Sequence, residues 1–438
     1  MNEILESAEQ MIGLISSKIW PVFLPFMLAA SAYISIKTIF QLNRKTTRRS
    51  PMHLKNVIGP ASVSLGAMIG TGAIIGVLGS LSNLAAQGQT NFEAIAIWAL
   101  IGSVIMIPLS YSETVNSKVM KKMPREYISD FLGRWAGFIF AAAFAALYIF
   151  GFGGFQFSGI DAVVSIVAER FADTSLSEMQ RYVFVIIPVI LIAAVIVLSR
   201  KHSIFMKAMT YMIFVAVVCY FAFFIFFIAR TNQYIPTYFA RMITGMQNPV
   251  NAMFGIPLGL ILGMQRVLQT AETGLGAMAM AAVEADTKPR EAGLISLVPT
   301  IITVFVSIFV TSYVASYGVS VGAASYPADS IGRLGDYIRT AVEVTGYFGL
   351  VVLCLFTVLS ALTTLLGSYF FLSQLFSDHE NRNIIVYLIV IILAGTLAVF
   401  GLNIVFDAVD LLLFLVAALN VAALTVYVSG PWKKYRFR

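Results

Sequence analysis

Long stretches of this chain are apolar without alternation and are separated by short polar links. Eleven such stretches are visible, at about 20–40, 56–84, 92–117, 135–168, 182–199, 204–229, 248–283, 292–316, 342–373, 383–403 and 405–428. A bilayer core of roughly 30 Å calls for about 20 apolar residues per helix, so most of the chain is predicted to lie in lipid. Continuous rather than alternating runs exclude a β-barrel. The expectation is an all-α polytopic membrane protein with about 11 transmembrane helices.

Setting the first span aside leaves ten, which divide into 56–229 and 248–428. With five spans each, the two halves start on opposite sides of the membrane, as an inverted-topology repeat requires. The first span of each half is interrupted by glycine: GAMIGTGAIIG runs from Gly66 to Gly76, and FGIPLGLILG from Phe254 to Gly263, with Pro257 inside it. A helix broken at membrane depth exposes N–H and C=O groups that lipid leaves unsatisfied and a bound solute or ion satisfies. The half-helix N-terminus favours a carboxylate and the C-terminal end a cation or ammonium. A free amino acid presents both groups, so the paired breaks point to a transport site. The plain alternative is that these glycines only let helices pack closely. The predicted organisation is an extracytoplasmic N-terminus, leading helix and basic cytoplasmic loop over 1–55, the two five-helix repeats over 56–229 and 248–428, and a basic cytoplasmic tail over 429–438.

Composition strengthens the membrane reading. Of 438 residues, 59% are hydrophobic and 12% charged, against roughly 25% charged in soluble proteins. The net charge of +7 sits at the ends of apolar runs, where it sets topology; it gives no reason to expect a nucleic-acid partner. With the N-terminus outside, 20 Lys and Arg fall on the cytoplasmic side and seven outside, which predicts a multi-pass protein of the cell (inner) membrane, N-terminus out and C-terminus in. The acidic N-terminal segment lacks the basic region and cleavage site of a signal peptide and reads as mature sequence. Cys219 and Cys354 lie inside apolar runs, and His53, His202 and His379 in polar links. Neither set has metal-ligand spacing or a nucleophile with its base, so a membrane enzyme is not expected. One internal pseudo-repeat, rather than repeated pore-lining stripes, argues against a channel.

At this point the motifs become recognisable. GAMIGTGAIIGV resembles the helix break of the alanine or glycine:cation symporter family, a branch of the amino acid–polyamine–organocation superfamily. RVLQTAETGLGAMAMAAVEADTKPREAGL, from Arg266 to Leu294, is similar to that family's longest motif, with Arg266, Thr270, Glu272, Gly274, Gly276, Pro289, Gly293 and Leu294 in register. FGFGGFQFSGIDAV, from Phe150 to Val163, resembles its glycine-rich third core helix. The likeness spans essentially the whole chain. It implies a LeuT-like 5+5 inverted repeat preceded by one extra helix, and cation-coupled symport of a small amino acid such as alanine or glycine by alternating access. The implied partners are that amino acid, a monovalent cation and the bilayer; no cofactor is implied beyond Na+, or H+, as coupling ion. Where the family has polar residues this chain has Ala73, Ala271 and Thr303, and Gln156 sits one residue early. Those departures leave open a proton-coupled or uncoupled transporter with an altered substrate.

The candidate substrate residues are Thr71 and Gly72 at the first break, Gln156 in the third core helix, and Phe254 and Gly255 at the second. For each a structural role stays open: a glycine-permitted kink, an interhelical hydrogen bond or simple packing. Ser360, Thr363 and Thr364 place hydroxyls in an apolar helix. The resemblance implies that they meet carbonyls near Gly66 and Ile69 in an all-oxygen Na+ site, a donor set that suits a hard cation; back-bonding within their own helix is the alternative. Glu113, Asp161, Arg266 and Glu272 are ionisable groups in or beside apolar spans and need partners. Arg266 and Glu272, sharing one motif, are expected to form a structural or gating pair. Asp407 and Asp410 are expected to be solvated.

Overall fold

The computed structural model describes residues 2–45, 54–86, 93–247, 252–253, 256–283, 285–326, 330–377, 379–399 and 404–430. In lipid only helices satisfy every backbone group within one segment, and the apolar runs accordingly fold as helices. The first half comprises α1 (Asn2–Lys45), α2 (Leu54–Met68), α3 (Gly72–Ala86), α4 (Glu93–Met120), α5 (Pro124–Leu132), α6 (Arg134–Ala145), a π-helical turn (Ala146–Phe152), α7 (Gly153–Ala172), α8 (Glu178–Arg181), a second π turn (Tyr182–Ile186), α9 (Ile187–Leu198) and α10 (His202–Thr231). After a 3-10 turn come α11 (Ile235–Gln247) and a small antiparallel hairpin of β1 (Ala252–Met253) and β2 (Ile256–Pro257). The second half comprises α12 (Leu258–Ala271), α13 (Ala277–Val283), α14 (Pro289–Val304), a π turn (Phe305–Val310), α15 (Thr311–Ser320), α16 (Ser330–Leu375), α17 (Glu380–Val399) and α18 (Ile404–Ser429). The long α16 bends at Gly346, whose φ of 64° is a left-handed value that favours glycine.

Among the described residues ten helical segments, from Leu14–Leu42 to Ala408–Ser429, are long and apolar enough to cross a membrane. The eleventh expected span, 248–283, is divided. Its helices α12 and α13 have 14 and 7 residues, or about 21 and 10 Å at 1.5 Å per residue, each too short to cross alone.

The second break differs from the expected one. A break lies at 272–276; in the expected stretch Ile256–Pro257 form β2 and Leu258–Gly263 are continuous helix, with Phe254 and Gly255 outside the described residues. Glu272, Gly274 and Gly276 take φ values of 50°, 77° and 88°, which stop α12 and set α13 off in a new direction. Gly259 and Gly263 are helical. A Cβ on Gly263 would meet the Ala99 nitrogen at 2.8 Å, and one on Gly259 would meet Trp98 Cδ1 at 2.8 Å. Their small-xxx-small spacing brings α12 against α4, so close packing explains these two glycines.

One helix holds both ends of α13. Glu113 of α4 accepts from the Gly276 N–H at 3.1 Å. Lys118, further along α4, donates to Val283 O at 2.9 Å, to Ala282 O at 3.3 Å and to Ala285 O. The carboxylate lies at the positive end of the short helix and the ammonium at its negative end.

Candidate functional site

The first break falls at residues 69–71, between α2 and α3. Two neighbouring helices hold it. From α7, Gln156 Oε1 accepts from the Thr71 N–H at 2.8 Å and from the Thr71 hydroxyl at 3.0 Å. The same hydroxyl donates to Phe155 O at 2.7 Å, and Gln156 Nε2 donates to Phe152 O at 3.1 Å. From α16, the Thr364 hydroxyl donates to Gly66 O at 3.3 Å. Gly70 fits only because it has no side chain: a Cβ there would lie 2.5 Å from Gln156 Oε1 and 2.6 Å from Thr364 Oγ1.

The expected cation ligands are partly assembled. Gly66 O and Thr364 are in contact, and a Cβ on Gly66 would lie 3.3 Å from Thr363 Cβ. Ser360 and Thr363 donate their protons along their own helix, to Thr357 O at 3.3 Å and Ser360 O at 2.9 Å. A hydroxyl bonded this way keeps its lone pairs for another partner. Ile69 sits at the break itself, its N–H on Leu65 O at 2.8 Å. The last carbonyls of α2 carry the negative end of that helix. Oxygen donors at such an end suit a hard monovalent cation. Among the described residues no group of three or more His, Cys, Asp or Glu gathers as metal ligands.

The two breaks meet at a cavity of about 20 Å³ bounded by Gly70, Gly72, Ala73, Phe152, Phe155, Gln156, Gln269, Thr270, Glu272 and Thr364. That is room for about one water. Glu272 therefore lines the cavity between the breaks. It is 1% exposed, and its Oε2 has no hydrogen-bond partner among the described residues. Gln269 Nε2 and Thr273 Oγ1 are buried and unpartnered in the same way. Phe254 and Gly255, expected to wall the pocket, lie outside the described residues; Phe152 and Phe155 are the aromatic wall here.

The expected Arg266–Glu272 pair is not formed. Arg266 instead reaches Asp410 of α18 through Nη2, at 2.9 and 3.1 Å to the two carboxylate oxygens. It also donates to Gln269 Oε1. Glu272, at the left-handed end of α12, faces the cavity with Tyr148 beside it. Asp410 is thus engaged rather than solvated, because α18 turns it onto α12; the Asp407 side chain lies outside the described set. Asp161 and Glu113 are also engaged. Asp161 pairs with Arg181 at 2.7 Å. Asn420 bridges Glu113 Oε2 at 2.9 Å and Gly274 O at 2.8 Å, and accepts from Tyr127. Asn420 is not among the residues singled out above, although a lone asparagine in the apolar run 405–428 is the available signal.

The chain matches the family model described as "Sodium:alanine symporter family" over residues 5–435. Comparison with curated proteins gives no match. Among solved structures the chain resembles a Na+-coupled sialic acid symporter in its substrate-bound outward-open state, with a TM-score of 0.53 and 14% identity, covering 91% of this chain and 83% of that one. That likeness carries the fold, which is LeuT-like. Ten helices among the described residues that are long and apolar enough to cross a membrane, a twice-broken core and a family model covering nearly the whole length agree: the chain belongs to the sodium:alanine symporter family and is a multi-pass secondary transporter, not an enzyme.

Proposed function

We propose that the protein couples Na+ entry to uptake of a small zwitterionic amino acid, alanine or glycine, and that the two helix breaks form its binding site. The observation that carries this reading is the Thr71–Gln156 contact. Gln156 Oε1 sits 2.8 Å from the Thr71 N–H, in the position that a substrate carboxylate oxygen would take at the N-terminus of α3. Substrate carboxylate displaces that amide oxygen, and Gln156 then presents its Nε2 to the carboxylate. Glu272 and the C-terminal carbonyls of α12 receive the ammonium, which neutralises a buried charge. Gly70, Gly72 and Ala73 on one side and Phe152 and Phe155 on the other leave space only for a short side chain. Na+ binds between the end of α2, at Gly66 and Ile69, and the hydroxyls of Ser360, Thr363 and Thr364.

The 20 Å³ cavity is too small for an amino acid, so loading requires the first break to part from α7 and α16. Repeats over 56–229 and 248–428, tilting about the site, expose it to each side in turn. The ion drives this only through its different affinity for the two states. A proton-coupled reading has one observation in its favour: Glu272 places a buried carboxyl group in the cavity, while Thr303 is committed to Pro299 O at 2.8 Å.

Uptake of radiolabelled alanine and glycine into proteoliposomes, under an imposed Na+ gradient and in a K+-only control, tests the proposal. Accumulation that requires Na+ is expected. Uptake indifferent to Na+ but driven by an inward proton gradient would transfer the coupling to Glu272, and no uptake of either solute would overturn the substrate assignment.

A further inference from the structure

A cavity of about 1210 Å³ opens at the end of the molecule where α5, α6, the end of α16 and the start of α17 meet. It shares no lining residue with the cavity at the breaks. Its rim carries Lys121, Lys122, Arg125 and Arg382 against two carboxylates, Glu126 and Asp130. Both carboxylates are engaged: Asp130 pairs with Lys122, and Glu126 accepts from the Met123 N–H at 2.7 Å. The guanidinium groups of Arg125 and Arg382 stand 4.8 and 5.8 Å from the centre of one ring, that of Phe376. Arg125 also donates to Leu375 O at 2.7 Å. Neither arginine belongs to an ion pair among the described residues. Two guanidinium groups gathered on one ring repel each other, and the ring face offsets only part of that cost. A phosphate group supplies the missing charge and matches the planar fork of arginine.

The flank of the cavity has the opposite character. Phe138 and Ala142 of α6 and Val386 of α17 line it and are exposed, Phe138 by 53% and Val386 by 40%. They lie in segments that cross the membrane, so they face acyl chains. A charged rim joined to an apolar side opening is the shape of an amphiphile's site. A soluble phosphate would use the rim alone and leave the flank bare. We propose that this cavity binds one anionic phospholipid, with its phosphodiester between Arg125 and Arg382 and its acyl chains along Phe138, Ala142 and Val386. Basic pockets between transmembrane helices take lipid headgroups in this way. The bound lipid ties α5 to α17 across the end of α16, the helix that carries Thr364.

Delipidated full-length protein in detergent, supplied in turn with phosphatidylglycerol, phosphatidylcholine and inorganic phosphate, tests this by native mass spectrometry and thermal unfolding. Phosphatidylglycerol is expected to be retained and to raise the unfolding temperature; phosphatidylcholine and phosphate are not. Arg125→Gln with Arg382→Gln should weaken phosphatidylglycerol binding about 30-fold, from roughly one factor of five per arginine near the membrane surface. If the double variant is not recovered folded, the exposed Arg382→Gln alone carries the test, with binding weakened about fivefold. Ala142→Trp, which fills the flank and leaves the rim intact, should also lose the lipid. Equal retention of the two lipids, a thermal shift reproduced by phosphate, or unchanged binding by these variants would overturn the proposal.

Discussion

Gly70 and Gly79 lie on the same broken helix and meet an added methyl group very differently. At Gly70 a Cβ would come within 2.5 to 2.7 Å of the Gln156 amide and Thr364 Oγ1, the groups that hold the break; at Gly79 the nearest atom, Arg333 Nη2, is 3.8 Å away. Gly70→Ala must push Gln156 or Thr364 aside, an overpacking cost of about 1–3 kcal/mol. We expect Gly70→Ala to lower alanine uptake about tenfold or more in proteoliposomes with matched protein content, and Gly79→Ala to leave it unchanged. Equal uptake by the two variants would remove Gly70 from the site. Thr71, Gln156, Gly66 and Thr364 are legible in the sequence because each is a polar or small residue in an apolar run, and the structure brings them together. The partners of Arg266 and Glu113 are not. Asp410 lies 144 residues from Arg266 and Asn420 lies 307 from Glu113, and pairings set by helix packing leave no local signal.

Among the elements, the two breaks are held by different means. The first is tied to its neighbours by the side chains of Gln156 and Thr364. The second is clamped by α4, with Glu113 at one end of α13 and Lys118 at the other. Both Glu113 oxygens accept hydrogen bonds, from the Gly276 N–H and from Asn420 Nδ2. In Glu113→Gln one oxygen becomes an NH2 group that faces a donor, leaving at least one buried group unsatisfied at a cost of about 1–3 kcal/mol. The variant should unfold at a lower temperature in detergent and transport more slowly. An unfolding temperature equal to wild type would show that the clamp contributes nothing. Glycine spacing alone does not locate the second break, since a glycine that admits a neighbouring helix and one that takes a positive φ look alike in sequence. Gly259 and Gly263 are the first kind, Gly274 and Gly276 the second.

For the molecule as a whole, the difference between the breaks says what moves. Opening a 20 Å³ cavity to an amino acid must break contacts somewhere. The first break is tied to α7 by the hydrogen bonds of Thr71 to Gln156 and Phe155 and to α16 by that of Thr364 to Gly66, whereas α13 is clamped at both ends to α4. In the proposed transport cycle the first break is expected to part from α7 and α16 while α13 travels with α4. Which side is then exposed depends on orientation, and the expected orientation rests on charge: the links rich in Lys and Arg are expected to face the cytoplasm. The segment Glu178–Leu198 offers a direct check, because Met179 at one end is 64% exposed and Lys201, just past the other, is exposed as well. In a background with Cys219 and Cys354 replaced by alanine, Met179→Cys should react with a membrane-impermeant maleimide on intact cells. Lys201→Cys should react only after the membrane is permeabilised. Labelling in the reverse order would invert the protein, and the same inward Na+ gradient would then meet the cation site from the end that the charge distribution assigns to the cytoplasm.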